Sequence, residues 1–290
     1  MAITAEHGAG ARFDEFENAT YDAHLYEHHG IASAIEGFTT PTEEQVALYH
    51  EQGFLGINNL LTPDEVQSSL AGLLDLIDGK QPSFRHIQFE AGARPLLATL
   101  AAEQKQDLVR KIFSFVDYEP RLRAIAEHPR ILEIARRLLG EEPVRFEDKA
   151  LIKPPRIGRE KPWHQDHAYW NLPLNTHAVT VWIALDAATL ENGCMYVIPG
   201  SHREGPVVHF RRRDWQMCDT NVETNRVIAT PLGAGGALFF DSFLQHGTPA
   251  NSSPLRRRAL QFVYVPASAA RISQAERLAV FGSEGKNVTC

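Results

Sequence analysis

Residues 178–188 read AVTVWIALDAA. In an extended chain Val179, Val181, Ile183 and Leu185 fall on one face, and Thr180, Trp182 and Ala184 on the other. That period of two, carried by β-branched and aromatic residues, predicts a strand. Similar apolar runs lie on both sides: ALIKPP at 150–155, GCMYVIPG at 193–200, GALFFDS at 236–242 and ALQFVYVP at 259–266. Gly193, Gly200 and the GAGG of 233–236 punctuate them. Short strands at such spacing predict a sandwich or barrel.

Upstream the period changes to that of helices. In TTPTEEQVALYHEQGF, 39–54, Thr40 reads as a cap, Pro41 as a first-turn residue, and Gly53 as the stop. FLGINNL, 54–60, reads as a short strand. In TPDEVQSSLAGLLDLIDG, 62–79, Thr62 caps and Pro63 opens a helix. Its stripe is Val66, Leu70, Leu73, Leu74 and Ile77. PRLRAIAEHPRILEIARRLLG, 120–140, reads as two helices broken at Pro129. The expected architecture is mainly β with flanking helices. A single domain over 41–290 would comprise a helical part, 41–140, a β-core over about 141–266 and a C-terminal tail, 267–290. Residues 1–40 read as an N-terminal extension.

Composition sets outer limits on function. The net charge of −7 argues against a nucleic-acid binder, which usually carries a basic face. No apolar run approaches the roughly 18 residues of a membrane helix. The first residues lack the apolar core of a signal peptide, so a cytoplasmic protein is expected. Three cysteines are too few and too scattered for a disulfide framework or a zinc knuckle. Oligomeric state leaves no mark in the sequence.

The chemistry concentrates in PWHQDHAYWNL, 162–172. In an extended segment His164 and Asp166 point to one side and Gln165 to the other. His246, in FFDSFLQHGTPANSSP at 239–254, is the best third partner. Two imidazoles and one carboxylate on one face of iron(II) leave the opposite face open for oxygen chemistry. By itself a His-x-Asp pair is more often a structural hydrogen bond than a metal site, and with 13 histidines one such pair is close to expected by chance.

Three blocks in order, HQDHAYWNL, VTVWIALDAATLENGCMYVIPGSHREG and GALFFDSFLQHGTPANSSPLRRRALQF, resemble the phytanoyl-CoA dioxygenase family of iron(II)- and 2-oxoglutarate-dependent oxygenases. The resemblance runs over about residues 41 to 266. It implies a double-stranded β-helix, or jelly-roll, with the metal at its mouth. It implies Fe(II) as cofactor, 2-oxoglutarate as cosubstrate and O2 as oxidant, with succinate and CO2 released. His164, Asp166 and His246 match the family's iron ligands. Arg257, eleven residues after His246, matches the arginine that grips the far carboxylate of 2-oxoglutarate. Trp182, Thr248 and Lys111 match further cosubstrate positions. One departure is Ala150 or Leu151 where the family often has methionine. Related halogenases lack the carboxylate, so Asp166 implies hydroxylation rather than halide transfer.

The substrate is expected to be a small molecule, with no nucleic acid or membrane as partner. His167, Tyr169 and Trp170 are candidate substrate contacts. HFRRRDWQMCDTNVETNRV, 209–227, reads as a polar, strand-poor insertion that would serve as a lid, with Arg211 to Arg213 solvated. Two rival functions fit a jelly-roll. A cupin-type non-redox enzyme would hold Zn or Mn and need no Arg257. A catalytically silent small-molecule binder would lack a ligand.

Overall fold

The computed structural model describes residues 12–13, 20–36, 40–93, 95–97 and 99–282. In chain order its strands are β1 (Arg12–Phe13), β2 (Phe54–Ile57), β3 (Ile87–Phe89), β4 (Val109–Phe113), β5 (Pro143–Lys153), β6 (Lys161–His164) and β7 (Val179–Ala184). They continue with β8 (Met195–Val197), β9 (His209–Arg211), β10 (Trp215–Met217), β11 (Ile228–Thr230), β12 (Ala237–Asp241), β13 (His246–Thr248) and β14 (Arg257–Pro266). The helices are α1 (Glu43–Gln52), α2 (Pro63–Ile77), α3 (Ala102–Lys105), α4 (Pro120–Ala126), α5 (Pro129–Leu139) and α6 (Gln274–Phe281).

Eight strands form one sheet in the order β1-β3-β4-β5-β14-β7-β12-β2. Four form a second, β11-β8-β13-β6. The strand read from AVTVWIALDAA is β7, and it lies inside the larger sheet between β14 and β12. Every residue of it is buried, because both faces of the sheet are covered. Val181, Ile183, Phe239, Leu260 and Phe262 pack on the helices, against Leu73, Leu76, Ile131 and Ile134. Trp182, Ala184, Leu238 and Ala259 turn the other way, toward Trp163, Met195 and Val197 of the smaller sheet. Two facing sheets with helices outside make the jelly-roll.

The helices form where their ends are satisfied and one face is apolar. Thr62 and Glu65 close a capping box on α2, and Pro63 opens it. Gly53 ends α1 in the left-handed conformation at φ 86, as expected of a glycine stop. The start of α1 differs from expectation. Thr42 caps it, with Gln45 reaching back to Thr42 N–H, so Thr40 and Pro41 lie outside the helix. The reciprocal box outbids a lone threonine two residues earlier. On α5, Ile131, Ile134, Ala135 and Leu138 are buried at helical spacing. Each large aliphatic side chain so buried contributes roughly 1.5–3 kcal/mol.

Residues 20–36 run along the smaller sheet. Tyr26 stacks on Trp163 at 5.9 Å and donates to Glu160, and Trp163 donates its indole N–H to Leu25 O. Ile31 bridges Ala229 on the sheet's outer strand. The 209–227 segment is also more structured than a loop. β9 and β10 form a hairpin, and Arg213 is buried between Glu160 and Asp219. Two carboxylates, one from far upstream, neutralise a guanidinium that the sequence alone places in solvent. Among the described residues no helix is long and apolar enough to cross a membrane.

Candidate active site

β6 and β13 are neighbours, and His246 sits directly opposite His164 in their register. Their rings are 4.1 Å apart. The chain stays extended through Gln165, then enters a 3-10 turn at Asp166. Asp166 Oδ1 thereby lies 3.5 Å from His164 Nε2 and 3.9 Å from His246 Nε2. The three ligand atoms lie within 4.8 Å of one another, and all three residues are buried.

The surrounding bonds fix which atoms face inward. His164 Nδ1 lies 2.8 Å from Pro162 O, and His246 Nδ1 lies 2.9 Å from Leu244 O. A carbonyl only accepts, so each Nδ1 carries the hydrogen and each Nε2 keeps a lone pair. Burial drives both imidazoles below their usual titration range, well below for His164. Asp166 Oδ2 accepts from Thr180 Oγ1 at 2.9 Å and from Gln261 Nε2 at 3.3 Å. Oδ1 is left toward the histidines. Burial opposes ionisation of Asp166, but the surrounding His164, His246 and Lys149 together outweigh it and hold its pKa below the usual carboxylate value. Two neutral nitrogens and a hard oxygen on one face suit iron(II).

Gln165 turns away, as expected. Its amide donates to Gly205 O and Phe243 O and accepts from Val207 N–H. Its own N–H donates to His209 Nε2. These bonds tie the ligand-bearing turn to two other loops.

The cavity beside the triad has a volume of about 320 Å³. This lies at the small end of ligand pockets, about 300–1,000 Å³. Arg257 enters it from the first residue of β14. The residue is 97% buried, and its guanidinium stands 5.4 Å from the Trp182 ring and donates to Leu151 O. Burial lowers its pKa to about 9. Arg257 Nε and Thr248 Oγ1 are buried polar atoms with no hydrogen-bond partner among the described residues. Such orphans cost about 1–3 kcal/mol each unless something else bonds them. A dicarboxylate lying along the wall fits both, so the residues present suit 2-oxoglutarate as well as iron.

Trp182, Thr248, Lys111, Tyr169 and Trp170 line the same cavity. His167 does not. The turn at Asp166 carries it to the far side, where it bonds Ser242 Oγ and Leu172 O and stacks on Phe243 at 4.1 Å. Burial lowers its pKa to about 4. Its role is therefore packing rather than substrate contact. Leu151 stands on the cavity wall where the family often has methionine, and Ala150 packs on the helix side. Thr180 and Gln261, which steady Asp166, were not singled out from sequence. Both follow from alternation: Thr180 shares a face with Trp182, and Gln261 with Arg257. Lys149 and Glu147 also face the cavity, paired at 2.7 Å.

The family described as phytanoyl-CoA dioxygenase matches residues 49–259. A phytanoyl-CoA dioxygenase domain-containing protein of Danio rerio is 24% identical over 259 residues, covering 76% of this chain and 89% of the relative. An ectoine dioxygenase of Bordetella bronchiseptica is 28% identical over 240 residues, covering 76% and 74%. Among solved structures, EvdO2 of Micromonospora carbonacea, complexed with 2-oxoglutarate, superposes with a TM-score of 0.64 at 26% identity. That match covers 83% of this chain and 96% of the other.

Proposed function

The chain belongs to the phytanoyl-CoA dioxygenase family and is an iron(II)- and 2-oxoglutarate-dependent oxygenase, and on that footing we propose which of its residues hold the reaction together. His164, Asp166 and His246 hold the iron. The observation that carries this is the convergence of their three ligand atoms within 4.8 Å, with the remaining nitrogens tied to carbonyls. Bound iron(II), with 2-oxoglutarate and O2, supplies the oxidation, and the cosubstrate leaves as succinate and CO2.

The protein's part is placement. Arg257 offers its fork to the far carboxylate, which would satisfy the orphaned Nε. Thr248 donates its hydroxyl to the same carboxylate. Trp182 backs the guanidinium and closes that end to water. Thr180 and Gln261 hold Asp166 in its ligating rotamer through Oδ2. Tyr169 and Trp170 stand on the substrate side, and the product is a hydroxylated small molecule. The catalytic unit takes in the helical part as well as the β-core, since β2 from the former pairs with β12 of the latter.

A cupin-type non-redox enzyme has no use for a buried Arg257 in the cavity beside the triad. The test is succinate release by iron-loaded protein supplied with ascorbate and 2-oxoglutarate. Slow release is expected even without substrate. Protein that binds iron yet neither binds nor consumes 2-oxoglutarate sinks the reading.

A further inference from the structure

α6 begins after the last strand of the jelly-roll and lies beyond residues 49–259, the stretch that matches the family. A helix of 8 residues does not hold itself together in water. Ser273 and Glu276 close a capping box at its start, and Phe281 is its one fully buried side chain. Burying that ring supplies roughly 1.5–3 kcal/mol. The helix adds little else to the core. Its polar contacts have another destination.

They converge on the segment that carries Asp166. Arg277 donates from Nη1 to Ala168 O and from Nε to Asn171 Oδ1 at 2.9 Å. Ile272 N–H, just before the helix, donates to Asn171 O at 3.1 Å. Ala168 belongs to the 3-10 turn that opens at Asp166, and between it and Asn171 stand Tyr169 and Trp170 on the cavity wall. The other end of α6 reaches the residue between the two ligands. Phe281 lies edge-on to His209, with the ring centres 6.0 Å apart. His209 Nδ1 lies 2.7 Å from Val207 O, so Nδ1 carries the hydrogen and Nε2 accepts from Gln165 N–H at 3.0 Å. Gly282, at φ 97, lets the chain pass His209 closely. A Cβ there would come within 2.6 Å of His209 O.

Resting on the oxygenase reading above, we infer that α6 braces the His164–Asp166 segment from outside the jelly-roll, with Arg277 and His209 as positioning residues for the iron site. Thr180 and Gln261 hold the Asp166 side chain, and α6 holds the backbone on which it is mounted. The turn needs this support. Its own two bonds, Ala168 N–H to Gln165 O and Trp170 N–H to His167 O, are 3.2 and 3.1 Å long, and 3-10 geometry is weak. Ligands must stay within about 0.5 Å of their places to meet one ion. Arg277 secures the far end of the turn, and His209 secures the peptide between the ligands.

The experiment titrates iron(II) into the full chain without oxygen, by equilibrium dialysis against a competing chelator, beside a thermal melt of each variant. Arg277→Ala should weaken iron by about tenfold or more, as loss of support to a ligand does. The iron concentration for half-maximal succinate release should rise by the same factor. Arg277→Lys, which keeps a donor for Ala168 O, should recover most of the loss. Gly282→Ala, which forces the helix end away from His209, should weaken iron too, and carries the test if Arg277→Ala does not fold. Phe262→Ala in the apolar core separates positioning from plain stability. It should melt lower than wild type yet bind iron within about twofold of it. Iron affinity within about twofold of wild type in both Arg277→Ala and Gly282→Ala overturns the brace. So does a loss that Phe262→Ala shares in proportion to its lower melting temperature. Wild type that binds no iron would instead fail the oxygenase reading.

Discussion

β7 and β14 present two chemistries from alternate residues of the same strands. Toward the helices they turn Val181, Ile183, Leu260 and Phe262, all fully buried in an apolar core. Toward the smaller sheet they turn Thr180, Trp182, Arg257 and Gln261, equally buried but largely polar. One face gains stability by excluding water. The other spends part of that gain on holding charges and hydrogen-bonding atoms out of water, ready for a ligand. The difference teaches where to expect damage to stability and where to expect damage to activity.

The largest effect belongs to the polar face. Asp166→Ala should reduce iron-dependent succinate formation to background while the protein still unfolds cooperatively. Succinate assay and iron content per chain, beside a thermal melt, check this; retained turnover would exclude Asp166 as a ligand. On the apolar face Phe262→Ala should cost about 3–5 kcal/mol in denaturant unfolding. The protein that stays folded should bind 2-oxoglutarate as wild type does. Arg257→Met should weaken 2-oxoglutarate by about 1.5–3 kcal/mol, the worth of a charged hydrogen bond. It should not destabilise the empty protein, because it removes a buried cation. A variant of one face with the phenotype of the other would break the division.

The smallest effect is one of pH. Lys111 has an ordinary value of 10.5, lowered to about 7 in the fold. Its side chain is partly exposed, but to the cavity, so water there screens some of the cost. Below about pH 7 both folded and unfolded chains carry the charge and the fold bears the full penalty. As pH rises from about 7 to 10.5 the folded chain holds fewer protons than the unfolded one, and the penalty fades. Lys111→Met should therefore be more stable than wild type at pH 6, by about 1 kcal/mol. That advantage should shrink steadily toward pH 10. Denaturant midpoints across that range decide it, and a difference independent of pH would remove Lys111 from the account.

Local pattern made the ligands legible. His164, Asp166 and His246 could be named because residue type and spacing constrain a metal site within a few residues. The strands could be named because both core faces need a period of two. What escaped was settled by contacts far along the chain. Arg213 looks solvated among three arginines, yet Glu160 lies 53 residues upstream of it in sequence and beside it in space. His167 reads as a substrate contact in the sequence, yet the 3-10 turn at Asp166 carries it to the far side. Thr40 lost α1 to Thr42 because a box of two reciprocal bonds forms only from the threonine two residues later.

The opposition of His164 and His246 across β6 and β13 has a consequence for how the chain is proofread. A slip of one residue between those strands would turn one imidazole to the wrong side of the sheet. Such a molecule would keep its helices and most of its core but lose the means to seize iron. Metal uptake is thus a gauge of strand alignment, and iron, by binding only the correctly threaded chain, draws the misaligned population toward it.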